Sequence, residues 1–107
     1  MNYLKVEPEF RNGYKDKERM KVIHSIPCSL CIFLDETQRT VTTAHHRHGY
    51  GAGKKTSDLL AISLCDDHHQ KGPKAFHKLN RIPWEEEFGT DQIELLEITN
   101  ELLKGIE

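Results

Sequence analysis

Leu59-Leu60-Ala61-Ile62-Ser63-Leu64-Cys65-Asp66-Asp67-His68-His69 is the stretch on which the architecture turns. Its first six residues form an apolar run of strand length, bounded upstream by a glycine-rich loop. Cys65-x-x-His68 follows at once. Upstream, Cys28-Ser29-Leu30-Cys31 supplies a second x-x-spaced pair, with 33 residues between the two pairs. Thiolate and imidazole are the ligands that hold zinc, and four of them close a tetrahedral site. The alternative, small buried cysteines with no metal, requires two spaced pairs to agree by chance. Cys28, Cys31, Cys65 and His68 are therefore the candidate ligands of a structural Zn2+. Their spacing differs from that of a finger whose second pair is two nearby histidines.

Histidines remain after that site is filled. Six of the seven histidines lie between Cys31 and His77, among them His45, His46, His69 and His77. Side chains of adjacent strand residues point to opposite faces, so His45 and His46 do not readily share one ion. One can hold a metal while the other faces a substrate. Imidazole changes charge near working pH and can take a proton from water. His69 sits beside His68 at a helix start with its side chain directed elsewhere, so His45 and His69 can share a second ion with open positions. Against this stands the plainer reading of surface histidines or alternative zinc ligands.

A chain of 107 residues with 36% hydrophobic composition and a mean hydropathy of -0.65 has one thin core, and a metal is a common way to stabilise such a core. No apolar run reaches the length of a membrane span, and Met1 to Phe10 has no apolar signal region, so the expectation is a cytoplasmic protein without a membrane partner. In a reducing compartment Cys-x-x-Cys reads as a metal turn before a disulfide. The net charge of -2 conceals a division: residues 1–81 carry 14 Lys/Arg against 9 Asp/Glu, and residues 82–107 carry 1 against 8. A positive surface around the Cys/His groups suits a polyanion such as DNA, although an acidic helix appended to a mixed surface gives the same totals.

Along the chain, residues 1–21 read as an arm with a short helix spanning Tyr14 to Ser25 and ending before Pro27. Residues 22–80 form the core. Cys28 to Cys31 is a tight turn, Ile32-Phe33-Leu34 and Thr40-Val41-Thr42-Thr43 are strand pieces, and 59–64 is a further strand. A helix from Asp66 to about Asn80 must break or kink at Gly72-Pro73. Residues 81–107 are an acidic C-terminal segment whose helix starts at an Asp91 cap, with Glu94 three residues on, and packs on the core or pairs two copies. The protein is thus expected as a monomer or a homodimer through that helix. Trp84 reads as a packing anchor. Gly49 to Thr56 fails the phosphate-loop pattern, yet Arg47, Lys54 and Lys55 can lie against a phosphate backbone.

Taken in order, Ile26-Pro27-Cys28-Ser29-Leu30-Cys31, Ala44-His45-His46-Arg47, Asp58, Ile62 to His69, Phe76-His77 and Phe88-Gly89 resemble the HNH endonuclease superfamily, and within it the phage and prophage nucleases of the recombination-enhancement (Ref-like) type. The likeness runs from about Val22 to about Leu96. It implies an α+β fold with a small zinc-stabilised ββα-metal, treble-clef-like core between the N-terminal segment and the C-terminal amphipathic helix. It implies a metal-dependent DNA endonuclease, a phosphodiester hydrolase linked to recombination. His45 would hold the catalytic ion (Mg2+, Mn2+ or Zn2+) with His69 and His77, and His46 would be the general base. DNA is the implied partner, and Ref-like enzymes are expected to act with a recombinase filament. The sequence departs from the pattern at His45, where many members have Asp, and at His68, where many have Cys. In another register Ala44 takes the acid position and His45 becomes the base. The central Asn has only Asp58 as a positional counterpart. A non-catalytic zinc module that binds nucleic acid or protein is the competing reading.

Overall fold

The computed structural model describes residues 15–46 and 57–106. Helix α1, Lys17–Ile23, starts where the Asp16 carboxylate accepts a hydrogen bond from the Arg19 amide at 3.0 Å, and it ends before Pro27. Helix α2, Ser29–Leu34, occupies the run expected as a turn and a strand. Cys28 caps it, its Sγ accepting from the Cys31 amide at 3.4 Å, and Asp35 ends it in the left-handed region at φ 55°. Leu30 and Cys31 face inward while Ile32 and Phe33 face solvent. Three apolar residues carry no period, so the caps settled helix against strand.

Strand β1, Thr42–His45, begins later than the expected Thr40 and ends on the first histidine of the pair. It runs antiparallel to β2, Ile62–Cys65, with Thr42 opposite Cys65 and His45 opposite Ile62. Asp58–Leu60 form a 3-10 turn, capped by Ser57, that removes Leu59 and Leu60 from the expected strand. Helix α3, Asp66–His69, follows β2 directly. Gly72-Pro73 breaks the expected longer helix, and helix α4 resumes at Phe76–Leu79. The chain is tight at this break: a Cβ on Gly72 would lie 2.2 Å from the Asp67 carbonyl oxygen. The acidic segment holds α5, Arg81–Phe88, ahead of the expected α6, Gln92–Lys104. Gly89, at φ 69°, makes the left-handed turn out of α5, and the Asp91 carboxylate caps α6 by accepting from the Glu94 amide at 2.8 Å.

The result is a small α+β unit with a two-stranded sheet. β2 is buried along its whole length, with α2 and α6 packed on it. Leu30, Ile62, Leu64, Leu95 and the three cysteines share this core with Trp84, whose ring meets Phe76 and Phe88 edge-on at centroid distances of 5.1 and 5.6 Å. Trp84 is the packing anchor its acidic surroundings suggested. Among the described residues no helix is long and apolar enough to cross a membrane.

A buried seam of hydroxyls ties the layers together. The Ser63 hydroxyl donates to the Pro27 carbonyl at 2.9 Å and accepts from the Ser29 amide at 3.1 Å, while the Ser29 hydroxyl returns a bond to the Ser63 carbonyl at 2.7 Å. On the other side the Ser63 amide donates to the Thr99 hydroxyl at 3.1 Å. Removing one hydroxyl here leaves buried polar groups without partners, which costs about 1–3 kcal/mol per group. Ser63→Ala is therefore expected to lower unfolding free energy by at least that amount in denaturant titrations of the metal-loaded protein. Wild-type stability in the variant would show that the seam contributes nothing.

Candidate metal centres

Two groups of ligand-type side chains lie on either side of α3. The first joins Cys28, the cap of α2, and Cys31 within it to Cys65 at the end of β2 and His68 in α3. A zinc ion with Zn–S near 2.3 Å and Zn–N near 2.05 Å in tetrahedral geometry needs S···S edges of about 3.8 Å and S···N edges of about 3.5 Å. Cys31 Sγ to Cys65 Sγ is 3.9 Å. His68 Nδ1 is 3.3 Å from Cys65 Sγ and 3.7 Å from both Cys28 and Cys31. These edges match the tetrahedron, so the cluster could hold a metal such as zinc. Nδ1 is the nitrogen that His68 turns toward the sulfurs; its Nε2 faces Glu36 at 3.9 Å, and its ring meets Phe88 edge-on at 5.3 Å.

Without an ion, three thiols in so small a space cannot all ionise. Cys65, nearest His68, is the thiolate: the Cys28 thiol and the His68 ring bond to it and bring its pKa down to about 3. The same bond to Cys65 pushes Cys28 up, and burial raises Cys31 to about 11. His68 is raised by its bond to Cys65. A metal must displace the remaining protons.

The second group joins His45 at the end of β1, His69 in α3 and His77 in α4, whose ligand nitrogens lie within 4.8 Å of one another. Ring centroids are 4.9 Å apart for His45 and His69 and 4.8 Å for His69 and His77. His45 is fully buried, against Phe76. Consecutive residues of a helix point about 100° apart, so α3 sends His68 to the cysteines and His69 to the imidazoles. His69 Nδ1 meets Thr43 Oγ1 at 2.7 Å, and His45 Nε2 meets Gln92 Oε1 at 2.8 Å.

His46, just past the strand, stands apart from that group. Its Nε2 lies 2.7 Å from Asp58 Oδ1. The other carboxylate oxygen of Asp58 accepts from the Asp16 amide at 2.8 Å, and Arg19 Nε donates to the Asp58 carbonyl at 2.9 Å. Arg19 also donates to Ala61 O and Asn100 Oδ1, which fastens α1 to the 3-10 turn and α6. Burial alone would raise the Asp58 pKa, but its bonds from His46 and the Asp16 amide outweigh that and hold it below the ordinary value.

All the expected metal-type residues are thus brought into two groups, and His46 is placed on Asp58. Arg47, Lys54 and Lys55 lie outside the described residues. Reasoning from sequence missed Thr43, Gln92 and Arg19. Thr43 had a signal, since strand alternation puts it on the face of His45. Gln92 and Arg19 had none, being polar residues on amphipathic helices.

A family model described as "Protein of unknown function (DUF968)" matches residues 4–104, and the chain belongs to that family. No curated protein and no solved structure matches it.

Zinc uptake at neutral pH is expected to release protons, because burial and the bond to Cys65 hold Cys28 and Cys31 as thiols in the metal-free cluster. Calorimetric titrations in buffers of different ionisation enthalpy read that release. In Cys65→Ser it is expected to vanish together with tight zinc binding and the folded baseline. The depressed Asp58 pKa stabilises the fold fully above the ordinary carboxylate value of 3.8, and that contribution is lost as pH falls through the lower folded value. The stability gap between wild type and Asp58→Asn should accordingly close on acidification, and a constant gap would contradict the pairing.

Proposed function

We propose that the protein is a metal-dependent DNA endonuclease in which a Cys3His zinc centre holds the scaffold and His45, His69 and His77 hold a catalytic divalent ion. The observation that carries this reading is the convergence of those three imidazoles one residue away from a separate histidine–carboxylate pair, His46 and Asp58. A structural metal needs only the first group. A zinc module that merely binds has no use for the second.

The residues divide the chemistry of phosphodiester hydrolysis between them. Asp58 is acceptor-only when ionised, so His46 carries its proton on Nε2 and presents the Nδ1 lone pair. Nδ1 takes the proton of a water as its oxygen bonds to phosphorus and the P–O bond to the leaving group breaks; the departing oxygen is protonated from solvent. Asp58, fixed by the Asp16 amide and through its carbonyl by Arg19, keeps the ring from rotating and steadies the imidazolium that forms. Held by His45, His69 and His77, a divalent ion would supply Lewis-acid stabilisation of the developing charge. Neutral imidazoles are consistent with it: they are borderline ligands that accept several divalent metals. Arg47, Lys54 and Lys55 would sit near neighbouring phosphates and give affinity without sequence reading. A recombinase filament on single-stranded DNA is the partner that the Ref-like resemblance proposes.

The test is cleavage of supercoiled and single-stranded DNA with magnesium, manganese or zinc, with and without a recombinase filament. His46→Ala is expected to cut about 10²- to 10⁴-fold more slowly while remaining folded at unchanged zinc content. Asp58→Asn, which no longer fixes the tautomer, should fall between the two. Full activity in His46→Ala would remove the assigned base. No cutting by the folded, zinc-loaded wild type under any of these conditions would leave a binding module.

A further inference from the structure

Two contacts around the three-imidazole group determine how the ion would be held. His45 Nε2 lies 2.8 Å from Oε1 of Gln92, a fully buried side chain in the first turn of α6. An amide oxygen only accepts, so the contact puts a proton on Nε2 and the lone pair of the neutral ring on Nδ1. His69 is fixed the opposite way. Its Nδ1 lies 2.7 Å from Thr43 Oγ1, and the single hydroxyl proton of Thr43 is directed to the Leu64 carbonyl at 2.9 Å. Thr43 must then accept from His69, which places the proton on Nδ1 and the lone pair on Nε2.

We propose that Gln92 and Thr43 are positioning residues that lock His45 and His69 in opposite tautomers, so that the centre takes a borderline divalent ion through Nδ1 of His45 and Nε2 of His69. The inference rests on the reading of His45, His69 and His77 as an ion site, and it deepens that reading in two ways. It makes α6 a working part of the centre, although Gln92 is 47 residues from His45 in sequence. It also assigns the ion class. The group consists of imidazoles alone among the described residues, which suits zinc, cobalt, nickel or iron, whereas magnesium prefers oxygen donors. Partners that orient a metal-bound histidine are worth 10- to 100-fold in affinity in comparable sites.

The experiment uses the full chain with zinc in the cysteine centre. Long-range ¹⁵N–¹H spectra of the histidine rings, above the imidazole titration range, read the tautomers before any second ion is added. Titration with cobalt(II) then reads affinity at the second site by absorption. Wild type is expected to carry the His45 proton on Nε2 and the His69 proton on Nδ1. Gln92→Met, similar in length but without an acceptor, should lose the His45 preference and bind the second cobalt about 10- to 100-fold more weakly. Gln92→Glu retains the acceptor and should recover both, which separates orientation from mere packing. A wild-type spectrum with the His45 proton on Nδ1, or a Gln92→Met protein with wild-type tautomer and affinity, would overturn the inference and leave the ion site standing. Absence of any second cobalt in wild type would overturn both.

Discussion

The junction of Cys65 with His68 is the constraint on which the rest depends. β2 delivers Cys65 directly into α3, and α3 is only long enough to direct His68 to one side and His69 to the other. Whatever fixes Cys65 and His68 to the cysteines of α2 therefore fixes the position of His69. A metal in the first centre would hold the helix that shapes the second. The hydroxyl seam through Ser29, Ser63 and Thr99 reinforces the same junction by joining α2, β2 and α6. The chain can thus place a small polar group with precision despite a core of few large apolar side chains.

Energetics point the same way. Structural zinc sites in small domains contribute on the order of 10 kcal/mol of folding free energy, comparable to the whole stability of an ordinary domain. In the metal-free cluster the buried thiols compete for one negative charge, and Cys65 takes it with help from Cys28 and His68. An ion that accepts all three sulfurs removes that competition. The second group has a different character: it consists of imidazoles, His45 and His69 buried and His77 exposed, with His69 held by Thr43 and His45 by Gln92 instead of by charge. On the proposed reading the first group is a fastener and the second a working site.

Much of this was legible in the sequence because metal ligands are few in kind and spaced by rule. The two x-x pairs, a strand at Thr42-Thr43, a strand running into Cys65, the break at Gly72-Pro73 and the Asp91 cap of α6 could all be read from local chemistry. Ile32 to Leu34 could not, because the run is too short to show a period and the decision lay with the Cys28 cap and the left-handed Asp35. Leu59 and Leu60 looked like strand by hydrophobicity, yet the Ser57 cap turned them into a 3-10 turn. Within the site, Asp58 was only a positional candidate until folding set it against His46, 12 residues away in sequence. Gln92 was invisible because a polar residue at a helix start is usually explained by solvent. Long-range partners of this kind leave no trace in spacing, while ligands that must share one ion do.

The most direct test of the central claim is anomalous diffraction from crystals of the zinc-loaded protein with a short DNA and cobalt. The account predicts zinc on Cys28, Cys31, Cys65 and His68, and a second anomalous peak on His45, His69 and His77. It also predicts a phosphate of the DNA against that second ion, with His46 facing it. A second peak absent from the imidazoles, or DNA bound away from His46, would contradict the account.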